Sequence, residues 1–177
     1  MAKPIDIHVR LDAATFRRYC GFDALRRRRL WYWPALIGLG LMCVASFLLL
    51  RGQGDGTTAG VLMGLGIAVP AGAFALYAIQ IKAQIVSQNL KSAPPVYSLR
   101  LAPEGLCVVN DRKDEKPVEL PWNRVWAAFR RKGAVYLYVT PQRAFILPDG
   151  QADTTDAAVW RALRAYLGDE KCVDAIK

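Results

Sequence analysis

LWYWPALIGLGLMCVASFLLL at residues 30–50 and TTAGVLMGLGIAVPAGAFALYAIQI at residues 57–81 contain no Asp, Glu, Lys, Arg or His. At about 1.5 Å of rise per residue, a helix over the first stretch reaches roughly 31 Å, enough to cross a hydrocarbon core of about 30 Å. The second stretch is longer and only weakly apolar at its ends, so its span is expected at about residues 58–79. Neither has the polar face that a buried helix pair of a soluble protein needs. A cleaved signal peptide is not expected either, because the charged lead is 29 residues long and the apolar block exceeds a signal core.

RGQGDG, residues 51–56, joins the two stretches. A linker this short and Gly-rich predicts a tight turn, an antiparallel transmembrane hairpin and both termini on one side. Residues 1–29 hold 8 Lys/Arg, the connecting loop one and the remainder 15. The positive-inside rule then puts both termini in the cytoplasm, a multi-pass arrangement. Trp31, Tyr32 and Trp33 at one end of the first stretch, and Tyr77 near the same end of the second, have the character of interfacial anchors.

The chain as a whole is 177 residues, 53% hydrophobic and 22% charged, with net charge +9. Such values coexist only when apolar and charged residues are segregated, and they exclude disordered, collagen-like and coiled-coil classes. The basic excess peaks at Arg26, Arg27, Arg28 and Arg29, directly before the first span. That run reads as a topology anchor touching lipid headgroups rather than as a nucleic-acid site. Acidic DRKDE at residues 111–115 also argues against a nucleic-acid surface.

Within the second span Gly60, Gly64, Ala68 and Gly72 recur every fourth residue, forming a small-residue face. The first span is its expected partner, with self-association or docking on another membrane protein as the functional alternative. Pro70 is expected to kink this helix. The absence of charge from both spans points away from a transporter or channel acting alone.

Residues 82–177 read as a β-rich domain with a terminal helix, set off by the breaker SAPPV at residues 92–96. Strands are expected at residues 97–102, 105–110, 117–120, 124–130, 134–140 and 143–147, in antiparallel meander order, with a helix over residues 154–168. Ala158, Trp160, Leu163, Tyr166 and Leu167 would form its buried face. The alternation of Ile5, Ile7, Val9 and Leu11 with Asp6, His8 and Arg10 predicts a half-buried strand, and a short helix follows from Asp12. A single strand is not stable alone, so it is expected to join the later sheet. The expected fold class is thus an α+β membrane protein, with a transmembrane hairpin (residues 30–81) inserted into a small antiparallel β domain formed by residues 1–29 and 82–177.

Trp122 and Trp126, four apart in a strand-like segment, are expected on one face; of the rows Tyr136/Tyr138 and Val135/Leu137/Val139, one is expected to be partly exposed. Cys20, Cys43, Cys107 and Cys172 are scattered, without a CxxC pair, and His8 is the sole histidine. No metal, cofactor or catalytic constellation is therefore expected, and His8 reads as a solvated side chain.

LPWNRVWAAFRRKGAVYLYVTPQRAFILP, residues 120–148, carries a family resemblance. Its Trp122, its Tyr136-Leu137-Tyr138 strand and its Ile146-Leu147-Pro148 step, together with the order strand, short helix, two spans and β domain, resemble the YcxB-like family of small bacterial membrane proteins. Asp149-Gly150 stands where that family's pattern has a basic pair. The resemblance implies a C-terminal domain similar to bacterial PH domains, with Trp122, Tyr136, Tyr138 and Pro148 as structural signature residues. The functional expectation is a non-enzymatic adaptor that meets membrane lipids and a protein partner or second copy. An auxiliary subunit of a transporter or export machine is the alternative.

Overall fold

The computed structural model describes residues 4–52, 55–90, 96–110 and 117–175. The chain is α+β, with two long apolar helices and two sheets, and divides into two compact units. One unit is formed by Met1–Tyr19 with Ile85–Lys177, the other by Cys20–Gln84. The first boundary thus falls within the short N-terminal helix rather than after residue 29.

In the discontinuous unit, strand β1 (Ile5–Arg10) lies antiparallel to β2 (Val96–Ala102), which pairs in turn with β3 (Gly105–Asn110) and β3 with β4 (Val118–Leu120). Register places Ile7 opposite Leu99 and Leu99 opposite Val108, so successive strands give their apolar residues to one face. The reverse face is polar: Arg100 Nε meets Asp6 Oδ1 at 2.7 Å, and His8 Nδ1 lies 3.0 Å from Ser98 Oγ. Asp12 then starts helix α1 (Ala13–Gly21) by accepting the Thr15 N–H at 2.9 Å. A hydrogen bond from the Thr15 side chain, helped by that backbone bond, holds the Asp12 carboxyl below its ordinary pKa.

The second sheet contains β5 (Ala127–Arg131), β6 (Ala134–Tyr138), β7 (Ala144–Pro148) and β8 (Cys172–Asp174), in the order β7-β6-β5-β8. Gly133, at φ 90°, makes the β5–β6 turn that a side-chain-bearing residue would strain. β8 pairs parallel with β5 and so departs from the expected meander. Helix α4 (Asp156–Leu167) begins on a Thr155 cap and ends at Gly168. Its buried residues are Val159, Trp160, Leu163 and Leu167, with Val159 taking the place expected for Ala158.

The two sheets are stitched at β1. Its outer edge meets the segment after β7: the His8 N–H donates to the Gln151 carbonyl at 3.2 Å, and the Arg10 N–H donates to Gln151 Oε1 at 2.7 Å. An otherwise open edge is thereby paired.

The other unit contains helices α2 (Tyr32–Leu50) and α3 (Gly56–Ser87), both long and apolar enough to cross a membrane. α3 runs beyond the expected span end at residue 79. The breaker at residues 92–95 and the turn at residues 111–116 fall outside the described residues.

Candidate functional site

α2 and α3 touch through their smallest residues. Gly38, Ala45, Ala59 and Gly66 are buried, whereas Leu39, Phe47, Ile67, Phe74 and Leu76 are exposed. A Cβ on Gly38 would strike the Gly66 carbonyl oxygen and come within 3.2 Å of the Pro70 ring. A Cβ on Gly66 would lie 2.7 Å from Met42 Cγ and 2.9 Å from the Gly38 carbonyl oxygen. Pro70 has no N–H to give the carbonyl four residues earlier, and that carbonyl belongs to Gly66. The oxygen released by the proline is the atom that Gly38 accommodates, a reciprocal glycine contact between antiparallel helices.

This contact corrects the expected packing face. Gly60, Gly64, Ala68 and Gly72 are exposed, and a Cβ on any of the three glycines would meet nothing within 4 Å. α2 therefore does not cover the small-residue stripe. The α3 residues that make the contact with Gly38, namely Gly66 and Pro70, lie two positions away from the stripe in register, on another face.

The run of four arginines is divided by its geometry. Phe22–Arg27 continues α1 as a π-helix, in which the Arg28 N–H donates to the Asp23 carbonyl at 2.8 Å. Asp23 also receives Arg27 Nε at 2.6 Å and Arg28 Nε at 2.8 Å, so one carboxylate serves two guanidinium groups. Among the described residues Arg26 and Arg29 have no acidic partner. Arg29 has φ 51°, unusual for a residue with a side chain, and its guanidinium lies 5.9 Å from the centre of the Tyr32 ring. Tyr32 in turn stacks on Trp31, with centroids 4.3 Å apart.

Trp31 opens onto an apolar groove of about 590 Å³. Leu25, Leu30, Pro70, Phe74 and Tyr77 are among the residues that line it. The Tyr77 hydroxyl donates to the Cys20 carbonyl at 2.7 Å, fixing α3 to the chain two residues before the π-helical segment. Sequence reading missed this groove. Its available signal was two apolar residues, Leu25 and Leu30, bracketing the arginine run, with prolines at 34 and 70 placed to interrupt the facing helices.

Trp122, Tyr136, Tyr138 and Pro148 all lie in the β unit. Trp122 sits in a 3-10 turn (Trp122–Arg124) instead of a strand; its indole N–H donates to the Ala102 carbonyl at 2.8 Å and its ring stacks on Tyr166 at 5.1 Å. Trp126 is 44% exposed, so the two tryptophans do not share a face. All five β6 residues are buried, contrary to the expected exposure of one row. Tyr19 of α1 packs edge-on against Tyr136 at 5.2 Å, and Phe129 against Tyr138 at 5.5 Å. Val159 of α4 lies with Val135 and Leu147 on the other side. Pro148 ends β7 opposite Ala134.

Asp149 follows Pro148 and accepts the Gly133 N–H at 3.1 Å. Burial, reinforced by Asp156 nearby, raises its carboxyl above the ordinary value. The four cysteines are all free thiols; Cys107 is half-buried, and burial pushes the Cys20 thiol up to about 11. Arg130 and Arg131 are both engaged: Arg130 lies 3.8 Å from Asp174 and Arg131 bonds the Ala175 carbonyl.

No family model matches this chain, and no match is found among curated proteins or solved structures.

Proposed function

We propose that this chain is a non-enzymatic protein of a bacterial inner membrane, with α2 and α3 as a transmembrane pair and the β unit as a cytoplasmic PH-like module of the YcxB-like kind. The observation that carries the reading is the outward display of large apolar side chains along both helices, such as Leu36 at 57%, Ile67 at 63% and Leu76 at 63% exposure, around a contact made of glycine and alanine. Water would oppose so large an apolar surface; lipid would cover it. β1 precedes the helix pair and its partner β2 follows it, which supports both ends of the pair returning to one side. The arginine-rich lead supports reading that side as cytoplasmic.

In this reading the module is an adaptor for a protein partner or for the membrane surface. The stripe Gly60, Gly64, Ala68 and Gly72, left open by α2, favours a second form of the reading, an auxiliary subunit docked on a transporter or export machine. Affinity purification from cross-linked native membranes tests both. A stoichiometric partner recovered with the wild type and lost with Gly64→Leu is the expected result. Unchanged recovery of that partner counts against docking through the stripe, and a deletion strain with all transport intact counts against the subunit form. Topology is tested on spheroplasts: a membrane-impermeant maleimide should label Arg51→Cys, but Cys172 only after permeabilisation. Cys172 labelling in intact spheroplasts overturns the cytoplasmic assignment.

A further inference from the structure

We propose that the groove between the π-helical segment, α2 and α3 is a binding site for an anionic phospholipid, with one acyl chain in the groove and the phosphate at Arg26 and Arg29. The inference rests on the reading of α2 and α3 as membrane-spanning.

Three observations converge on this occupant. The groove, at about 590 Å³, falls within the roughly 300–1,000 Å³ common to small-molecule sites, and its walls (Leu25, Leu30, Trp31, Pro70, Phe74) are apolar. The residues between Leu25 and Leu30 are four consecutive arginines, so the charged run is part of the same segment that forms the wall. Asp23 is the only acid of that segment, and it is taken by Arg27 and Arg28. Positive charge is left on Arg26 and Arg29, and the Arg29–Tyr32–Trp31 stack leads from a guanidinium to the groove wall. An apolar slot whose wall-forming segment also carries uncompensated guanidinium groups complements a fatty chain ending in a phosphate.

Two features hold the site in shape. Tyr77 of α3 holds the chain at Cys20, two residues before the π-helical segment, through the Cys20 carbonyl. Arg29 is kept at φ 51°, a backbone conformation of higher energy that persists only when its surroundings enforce it. General attraction between a basic segment and an anionic leaflet needs neither feature. A site does, and it selects one lipid over its neighbours.

The test uses the full chain in dioleoylphosphatidylcholine vesicles carrying a minority of brominated phosphatidylglycerol or, in parallel, brominated phosphatidylcholine. Fluorescence of Trp31 is obtained as the difference between Trp33→Phe and Trp31→Phe/Trp33→Phe proteins. Flotation with the vesicles is scored first, and a chain that does not float overturns the membrane-spanning reading itself. For chain that floats, stronger quenching by the phosphatidylglycerol is expected. Arg26→Gln and Arg29→Gln should each lower that preference roughly fivefold, the size expected for one basic residue at an anionic surface. Ala73→Phe, which fills the groove, should remove it, and the arginine variants carry the test if Ala73→Phe does not fold. Equal quenching by both lipids overturns the inference and leaves an ordinary lipid contact. Absence of quenching by either overturns it in favour of a groove occluded by protein, such as a second copy.

Discussion

The Tyr97 hydroxyl engages both backbone polar groups of Ile146, donating to its carbonyl at 2.8 Å and accepting from its N–H at 3.3 Å. Tyr97 belongs to β2 of the first sheet and Ile146 to β7 at the rim of the second, so one side chain does the work of a missing ladder bond between sheets. Burial holds this phenol well above its ordinary pKa, so it stays a donor across the physiological range.

Tyr97→Phe leaves both Ile146 groups without that partner in a partly buried place. The expected cost is about 1–3 kcal/mol, read as a lowered midpoint in thermal unfolding of the purified protein. A midpoint equal to wild type would show that the stitch contributes nothing.

Gly38 and Gly64 should respond oppositely to the same change. Gly38→Ala drives a methyl into the Gly66 carbonyl and the Pro70 ring and should part the helices. Gly64→Ala meets open space and should be neutral or stabilising by about 0.5–1 kcal/mol through helix propensity. Cross-linking between cysteines introduced at Ala45 and Ala59 measures the contact; equal yields for the two variants would disprove the assignment of the interface.

Asp149 predicts a pH dependence of definite sign. Its raised folded pKa means that the unfolded chain ionises first as pH rises, so stability is lost across the window from the ordinary aspartate value up to the folded one. Asp149→Asn, which still offers an oxygen to the Gly133 N–H, should be more stable than wild type at neutral pH. The advantage should disappear once both states of the wild type are protonated. Denaturant midpoints followed from neutral to acid pH check the crossover.

Cys20 should resist alkylation. Burial, with the Asp23 charge second, holds its thiol near 11, so little thiolate exists at neutral pH. In a variant that keeps Cys20 alone, iodoacetamide labelling of folded protein should be slow and accelerate steeply above pH 9, about the ordinary thiol range. Rapid labelling at pH 7 would contradict the burial of this residue.

The parts of the fold that were legible are those written as period and composition. Ile5, Ile7 and Val9 announce a strand by alternation, and the uncharged stretches announce long apolar helices by length. The parts that were not legible depend on contacts distant in sequence. Trp122 sits in a strand-like string, yet its indole bond to Ala102 and its stacking on Tyr166 select a turn. β8 has only three residues, too few to carry a period, and exists because β5 offers an edge.

The site shows the same division. Spacing by four finds the Gly60–Gly64–Ala68–Gly72 face but says nothing about what covers it, and the helix pair meets elsewhere because Pro70 releases the Gly66 carbonyl on another face. The arginine run was plain, whereas its partition by Asp23 and its link to a groove depend on a π-helical winding that residue types do not encode.

The pairing of β1 with β2 sets an order of events during synthesis. Ile5 waits opposite Leu101, with both long helices made in between. At about 5–20 residues per second, the ribosome leaves the first strand without its neighbour for on the order of ten seconds. A completed sheet therefore certifies that the intervening helices have been made and turned back, and a chain that falters there leaves a bare strand edge for proteases and chaperones to find.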